Sequence, residues 1–543
     1  MFLKRLKIPD FKVLQNIDIE YERHDGRPTY PVISLNGGGK STLLQFIFTM
    51  LHCSFDAERQ FAVQNLLEGY EPKGAVGEKQ LFAQFVLEIE RDGVKEDMEL
   101  NFWVEPIVKG VIQRAMTVEE VKELKEAHEA LLILTDLKSL GISGFLAIPQ
   151  PQIIQALQDL AITDFEKQLA LHIEKNISNP EAIWENFLNF CTLTFKHLNF
   201  RNEKELNYDI SILNDISYAI GNTINFNSEI TYILPNLILS YDYNYDYWNP
   251  TSISNKIYLA GPRTQVFQFL DKKAYELLFE QIEGKSYEQE IQEVKKKLPN
   301  FFTYEFASSQ MILDLFKAAR DNDFKKALET GEYGNQLNLT KNSLHDFLRG
   351  KSISIDGDIT KVIFNDLISG KEFKARDFSH GELKKLSIFV WLRHLVPKGS
   401  LVLMDEIDIG LHPKWQYEIT EELKEWGGEN QYLLATHSPQ IIGAAHYKNL
   451  VVLDRIDEGN HSTARQFKQP LVDVDLNTIV ERIMGAQYTP QAVLDLHKKY
   501  RKLVEEAKEE TPEGKKLKAQ ILEYESEQSS FLQEMKFFIQ FRD

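Results

Sequence analysis

Ser34-Leu35-Asn36-Gly37-Gly38-Gly39-Lys40-Ser41-Thr42 is the stretch that decides how this chain folds. Val32 to Leu35 lead into it as an apolar strand, and Ser41 to about His52 continue from it as an apolar helix. Glycines between a strand and a helix let backbone N–H groups curl around phosphate oxygens, and the helix N-terminus adds the positive end of its dipole. Lys40 is placed to bridge β- and γ-phosphates and Ser41 to hold Mg²⁺, with Asn36, Gly37, Gly38, Gly39 and Thr42 completing the cradle. Ser34 stands where the usual pattern has its first glycine.

A loop of this kind needs a water activator and a second metal contact, and both come from far along the chain. Leu401 to Met404 reads as a buried parallel strand, which puts Asp405 at the carboxyl edge of a sheet beside Mg²⁺. Glu406 follows as the candidate general base. Pro413 to Trp426 reads as a crossover helix and Gln431 to Ala435 as the next strand, delivering His437 to the same edge to contact a γ-phosphate or the water. Ser379-His380-Gly381-Glu382 precedes Leu383, Leu386, Phe389 and Val390 at helical spacing. Ser379 and Glu382 have the spacing of a capping box, and the same helix N-terminus is an anion site.

Taken together, these motifs resemble the ABC-type ATPases of the SMC, RecF and OLD group. The resemblance implies an α/β fold: an ABC-type P-loop ATPase head assembled from N- and C-terminal segments, with a mostly helical insert and a helical C-terminal tail. It implies ATP and Mg²⁺ as ligands and two heads sandwiching two nucleotides, so that Ser379, Gly381 and Glu382 act on the site of the opposite head. Asp408 to Pro413 would face that partner head. It also implies a Mg²⁺-sensing glutamine where head meets insert. Gln150, after Phe145 to Pro149, is the favoured position, and Gln265, after Ile257 to Thr264, is the alternative. His380 departs from the family pattern at its second glycine and bears on hydrolysis rate more than on binding.

More narrowly, Leu3-Lys4-Arg5-Leu6-Lys7-Ile8 before Phe11-Lys12, the loop itself and the overall layout resemble PtuA-type ATPases of Septu and retron antiphage systems. That implies a homodimer or higher homo-oligomer through the heads and control of an HNH nuclease of the PtuB kind. A retron reverse transcriptase and its DNA product are a further partner within the same resemblance. Two other expectations remain open: a RecF- or SMC-like ATPase acting directly on DNA, and an ATP-fixed scaffold with very slow turnover.

Composition sets outer limits. A formal charge of −19 over 543 residues argues against a generally basic nucleic-acid binder, so any such contact is local, at Lys4, Arg5, Lys7 and Lys12 or at Lys295 to Lys297. Two cysteines, Cys53 and Cys191, make no disulfide framework and fit a reducing cytoplasm. No apolar stretch reaches spanning length, and no membrane association is expected.

Along the chain, residues 1–105 read as the N-terminal half of the head, with Leu81 to Glu90 and Asp97 to Val104 as an antiparallel pair. Residues 106–345 read as a mostly helical insert, through Thr117 to Leu134, Asp159 to Lys175, Pro180 to Leu198 and Ala274 to Leu298, without sustained heptads. Within it, Tyr241 to Trp248 alternates aromatic and polar residues, as a half-buried strand does. Residues 346–470 read as the C-terminal half of the head, and 471–543 as a helical tail whose Leu496, Tyr500, Leu503 and Val504 form a docking stripe. Asp473-Val474-Asp475 has the acid spacing of an OLD-type nuclease, but too little chain follows to build that domain, so intrinsic nuclease activity is not expected.

Overall fold

The computed structural model describes residues 1–107, 228–270 and 287–542, apart from short interruptions at 25, 27, 36, 92, 235, 245–249, 305–307, 349, 374–376, 457–460, 471–477 and 486–488. The N-terminal region supplies β1 (Phe2–Phe11), β2 (Leu14–Glu20), β3 (Thr29–Ser34), β4 (Gln80–Arg91) and β5 (Val94–Pro106). The middle supplies β6 (Ser228–Leu234), β7 (Leu237–Tyr243), β8 (Ile257–Gly261) and β9 (Phe301–Thr303). From the C-terminal region come β10 (Lys351–Ile355), β11 (Val362–Asp366), β12 (Glu372–Phe373), β13 (Leu401–Asp405), β14 (Gln431–Ala435), β15 (Val451–Arg455) and β16 (Ser462–Gln466).

Among the described residues thirteen strands make one sheet, in the order β6-β7-β5-β4-β1-β2-β16-β15-β3-β14-β13-β8-β9, and β10 to β12 make a small antiparallel sheet. From β15 through β3, β14, β13 and β8 to β9 every pairing is parallel. β3, from the start of the chain, therefore lies between two strands from its end, and the α/β head is assembled from both segments. Its central strands are apolar because helices cover both faces of a parallel sheet. Period-two alternation divides them: Leu401, Leu403, Leu433 and Ala435 join the core around α1 (Lys40–Phe48). Val402, Met404, Tyr432 and Leu434 join the opposite core. That second core also holds Phe316 of α4 (Ser308–Thr330), Leu344 of α5 (Gln336–Phe347), Leu386 and Val390 of α6 (His380–His394) and Ile419 of α7 (Pro413–Gly427). The shorter α2 (Gln60–Leu67) and α3 (Tyr287–Lys297) complete the first face.

β6 to β9 lie inside residues 106–345, the span read as helical insert, and they belong to the head sheet. β8 is a run of five buried residues, Ile257 to Gly261, too short for periodicity to separate strand from helix, and its partner β13 is remote in sequence. The aromatic alternation begins as β7, where Tyr241 is buried, stacks with Tyr243 and meets the rings of Phe55 edge-on and Phe102 at a tilt. Tyr245, Tyr247 and Trp248 lie outside the described residues, as do the helices expected at 117–134, 159–175 and 180–198. The expected strand pair 81–90 and 97–104 is β4 and β5, paired antiparallel.

In the tail, α9 (Gln491–Glu505), α10 (Pro512–Leu522) and α11 (Ser530–Arg542) enclose their own core of Tyr500, Val504, Ile521, Phe531, Leu532 and Met535. Tyr500 and Val504 of the docking stripe are thus used within the tail. Among the described residues no helix is long and apolar enough to cross a membrane. Cys53 is buried with a free thiol, and Cys191 and Asp473 to Asp475 lie outside the described residues.

Candidate functional site

The loop between β3 and α1 has no room for side chains. A Cβ on Gly38 would lie 2.6 Å from both Cβ and Oγ of Ser34. One on Gly39, whose φ is +93°, would lie 2.8 Å from Val13 and 2.9 Å from Leu14. Only glycine combines that left-handed backbone with that approach. Ser34 has a part of its own here: Lys40 Nζ donates to its carbonyl at 3.2 Å and its Oγ at 3.1 Å. Burial lowers the Lys40 pKa, opposed by the nearby charges of Asp405, Asp408 and Glu406. Thr42 continues the first turn of α1, and Asn36 lies outside the described residues.

At the end of β13, Asp405 is almost completely buried and lines one cavity with Ser41. Burial raises its pKa from the usual 3.8 to about 6, with the neighbouring Glu406 adding to the rise and the Ser41 hydroxyl and Lys40 opposing it. That cavity is also lined by Gln45, Gly261, Gln265 and Gln268. Gln265 reaches it because β8 pairs with β13 and ends at Gly261, whose added Cβ would lie 3.1 Å from Gln265 Cγ. Gln150, the favoured metal glutamine, lies outside the described residues, whereas the alternative Gln265 is at the site.

Glu406 has φ +51°, a left-handed conformation rare for a side-chain-bearing residue, and its N–H donates to Ala435 O at 3.0 Å. Thr436 and Ser438 flank His437: Thr436 Oγ1 donates to Asp408 at 2.7 Å, and Ser438 caps α8 (Pro439–Ala444). The exposed His437 ring has a lowered pKa, from partial desolvation first and then the Lys40 charge, against an opposing contribution from Asp408.

The capping box at the start of α6 is present. Ser379 N–H donates to Glu382 at 2.9 Å and Glu382 N–H to Ser379 Oγ at 3.3 Å. Burial alone would raise the Glu382 pKa, but hydrogen bonds from Lys351 and Ser379 outweigh it and hold the carboxyl low. Gly381 packs so closely that a Cβ would lie 2.7 Å from Gly410 O and 2.9 Å from the Trp415 ring. The His380 ring lies against Gly410, whose added Cβ would be 2.9 Å from His380 Nδ1. Sequence reasoning overlooked Arg455, whose guanidinium lies against Gly37 at the mouth of the loop, 3.2 Å from where a Cβ would stand. Its place at the end of β15, next to β3, was the available signal.

These residues fit a triphosphate with its metal: a cradle closed to side chains, a buried ammonium beside it, and a hydroxyl–carboxylate pair next to a glutamine-lined cavity. Sheet order and site together define an ABC-type P-loop ATPase head. Residues 198–443 match the family described as "AAA domain, putative AbiEii toxin, Type IV TA system". Over 122 residues the chain is 30% identical to the "Retron Vc95 probable ATPase" of Vibrio cholerae serotype O1 biovar El Tor, covering 22% of this chain and 23% of that protein. Over 152 residues it is 28% identical to the "Retron Ec83 probable ATPase" of Escherichia coli, covering 26% of each. Over 93 residues it is 32% identical to the Septu protein PtuA of Bacillus thuringiensis, covering 17% of this chain and 23% of PtuA. The matches span about a quarter of the length of these relatives. Among solved structures, the SMC head domain from Thermotoga maritima aligns over 86% of this chain and 100% of its own, at 10% identity and a TM-score of 0.36. By sequence, over these segments, the chain is similar to ATPases of retron and Septu systems.

Proposed function

We propose that this chain binds and hydrolyses ATP with Mg²⁺, and that two such heads closing on nucleotide govern a partner effector nuclease in antiphage defence. The observation that carries the reading is the cavity that Ser41, at the start of α1, and Asp405, at the end of β13, line together, where the two ends of the chain meet at one sheet edge. Lys40 and the glycine cradle would hold the phosphates, while Ser41, Asp405 and Gln265 would hold and sense the metal. Bound Mg²⁺ supplies positive charge against the phosphate oxygens. Glu406 would accept a proton from water, and His437 would contact the γ-phosphate side. Ser379, Gly381 and Glu382 would serve the nucleotide of a second copy, because a capped helix N-terminus is suited to an anion. The retron and Septu names of the relatives support the defence setting, and the resemblance to PtuA-type ATPases makes an HNH nuclease, with or without a reverse transcriptase and its DNA product, the proposed partner.

Two substitutions test this. Lys40→Ala should remove ATP binding in an equilibrium titration, and retained affinity would refute the loop assignment. Glu406→Gln should bind ATP and persist as a dimer on size-exclusion chromatography with light scattering; unchanged turnover would refute its role as base. The effector proposal is tested by co-purification with the products of neighbouring reading frames and by nuclease assays with and without ATP. A nuclease that neither associates nor responds to ATP would overturn it.

A further inference from the structure

Within the apolar body of α6, Lys384 is only 4% exposed. An ammonium buried that far needs partners, and two carbonyls of the loop after β13 are among them. Its Nζ donates to Glu406 O at 3.2 Å and to Ile409 O at 2.8 Å. The ammonium also lies 4.2 Å from the centre of the Tyr304 ring. Tyr304 in turn is tied to the end of β8: its N–H donates to Gly261 O at 3.1 Å and its hydroxyl to Ala260 O at 3.3 Å. One side chain on α6 therefore touches the backbone of the candidate base, the loop behind it, and the aromatic ring bound to the strand that delivers Gln265.

Glu406 gives this contact a purpose. A glutamate with φ +51° occupies a sparsely populated conformation that persists only where its surroundings determine it. The N–H of Glu406 is held by Ala435 O, and its carbonyl accepts from both Lys384 Nζ and the Ile409 N–H, the latter at 3.3 Å. Without the ammonium, that carbonyl retains only the long Ile409 bond among the contacts just described, and the left-handed turn loses a charge-assisted partner.

We propose that Lys384 is a positioning residue: it fixes the Glu406 backbone in its left-handed turn and links movement of the Ser379 helix to the chain's own hydrolytic edge. The inference rests on the proposed ATPase reading. It gives α6 two roles, presenting Ser379 outward to a second copy and, five residues on, setting the geometry of its own base. Closure of the heads, by pressing on the start of α6, would then be felt at Glu406 in the same molecule.

The test uses the full chain as wild type, Lys384→Met and Lys384→Arg. Amide hydrogen exchange without nucleotide should quicken at the Ile409 N–H and across residues 404–412 in Lys384→Met, a readout independent of turnover. ATP affinity should stay within about threefold while single-turnover hydrolysis falls by about tenfold or more, a loss confined to the chemical step. Lys384→Arg should recover both exchange protection and most of the rate, since a guanidinium can also serve two carbonyls. Unchanged exchange and rate in Lys384→Met, or affinity lost in step with rate without rescue by arginine, would overturn the inference. If Lys384→Met does not fold, Lys384→Gln, which keeps an N–H donor group but loses the charge, is measured in the same way with the same expectations. Wild-type protein without turnover would sink the ATPase reading and this inference together; active wild type beside an equally active Lys384→Met sinks the inference alone.

Discussion

Replacing Asp405 by asparagine should stabilise the protein in the absence of nucleotide, although it removes a residue assigned to the metal. The carboxyl pKa rises from 3.8 to about 6, so the folded state holds this proton more tightly than the unfolded chain does. At about 1.4 kcal/mol per pKa unit, ionised Asp405 costs the fold up to about 3 kcal/mol, with about half of that surviving structural relaxation. Between pH 3.8 and about 6 the unfolded state binds fewer protons than the folded one, so this contribution falls as pH rises and is flat above. Asparagine stays neutral throughout and has nearly the same shape. Asp405→Asn should therefore melt about 1–3 °C above wild type at pH 7.5, given an unfolding entropy that scales with chain length, and the gap should shrink towards pH 4.

Adding Mg²⁺ and ATP reverses the ranking. A cation at Asp405 favours the carboxylate, so wild type should gain about 2.7 kcal/mol of apparent stability at a hundredfold excess over its dissociation constant. Asp405→Asn should gain less, and its gain should not depend on Mg²⁺. Differential scanning fluorimetry across pH, with ATP and either Mg²⁺ or EDTA, reads all of these arms. A variant that melts at or below wild type without ligand at pH 7.5, or that keeps the full Mg²⁺-dependent shift, would refute the reasoning.

Gly381→Ala forces a methyl against Gly410 O and the Trp415 ring, so it should cost about 1–3 kcal/mol by overpacking and slow turnover more than it weakens ATP binding. An unaltered melting temperature would show that the loop after β13 yields freely. Gln265→Ala should leave ATP affinity nearly intact and raise the Mg²⁺ concentration needed for half-maximal turnover; an unchanged Mg²⁺ titration would remove Gln265 from the metal site.

The parts legible in the sequence were those whose chemistry admits few residue types. The glycine loop was one, since Gly38 and Gly39 face Ser34, Val13 and Leu14 at distances that leave no space for a side chain. Another was the capping box of Ser379 and Glu382, where both reciprocal bonds form. β13 and β14 were visible as unbroken apolar runs, because both faces of a parallel sheet are covered. What stayed hidden depended on distant pairing or on burial. β8 has the composition of many short apolar runs, and only its register against β13 makes it part of the head. Lys384 is a charge beside the apolar positions of a helix, and its burial follows from α6 crossing the loop after β13, which no local pattern encodes. The left-handed backbone of Glu406 was likewise invisible, since a glutamate is not the residue such a turn normally selects.

Charge separates a head that acts through a protein partner from one that grips DNA itself. The basic residues nearest the start of the chain are already committed to acids: Lys4 to Asp97 at 2.6 Å, and Arg5 to Asp18 at 2.7 Å with Glu20 beside it. Lys295 donates to Thr303, and Lys297 lies over the Phe61 ring, on a helix whose first turn carries Glu288 and Glu290. A lysine or arginine paired this way must give up its carboxylate before it can neutralise a phosphate, and a chain of net charge −19 repels a polyanion over longer distances. The isolated protein should therefore show an ATPase rate that duplex DNA leaves unchanged at about 0.15 M salt, where unsupported surface charge is screened within about 8 Å. Any stimulation seen at low salt should vanish steeply on the way to that ionic strength. A rate that rises severalfold with duplex DNA and survives physiological salt would mean that a groove on this chain binds phosphates despite these pairings, and the direct DNA-acting reading would then displace the partner-controlled one.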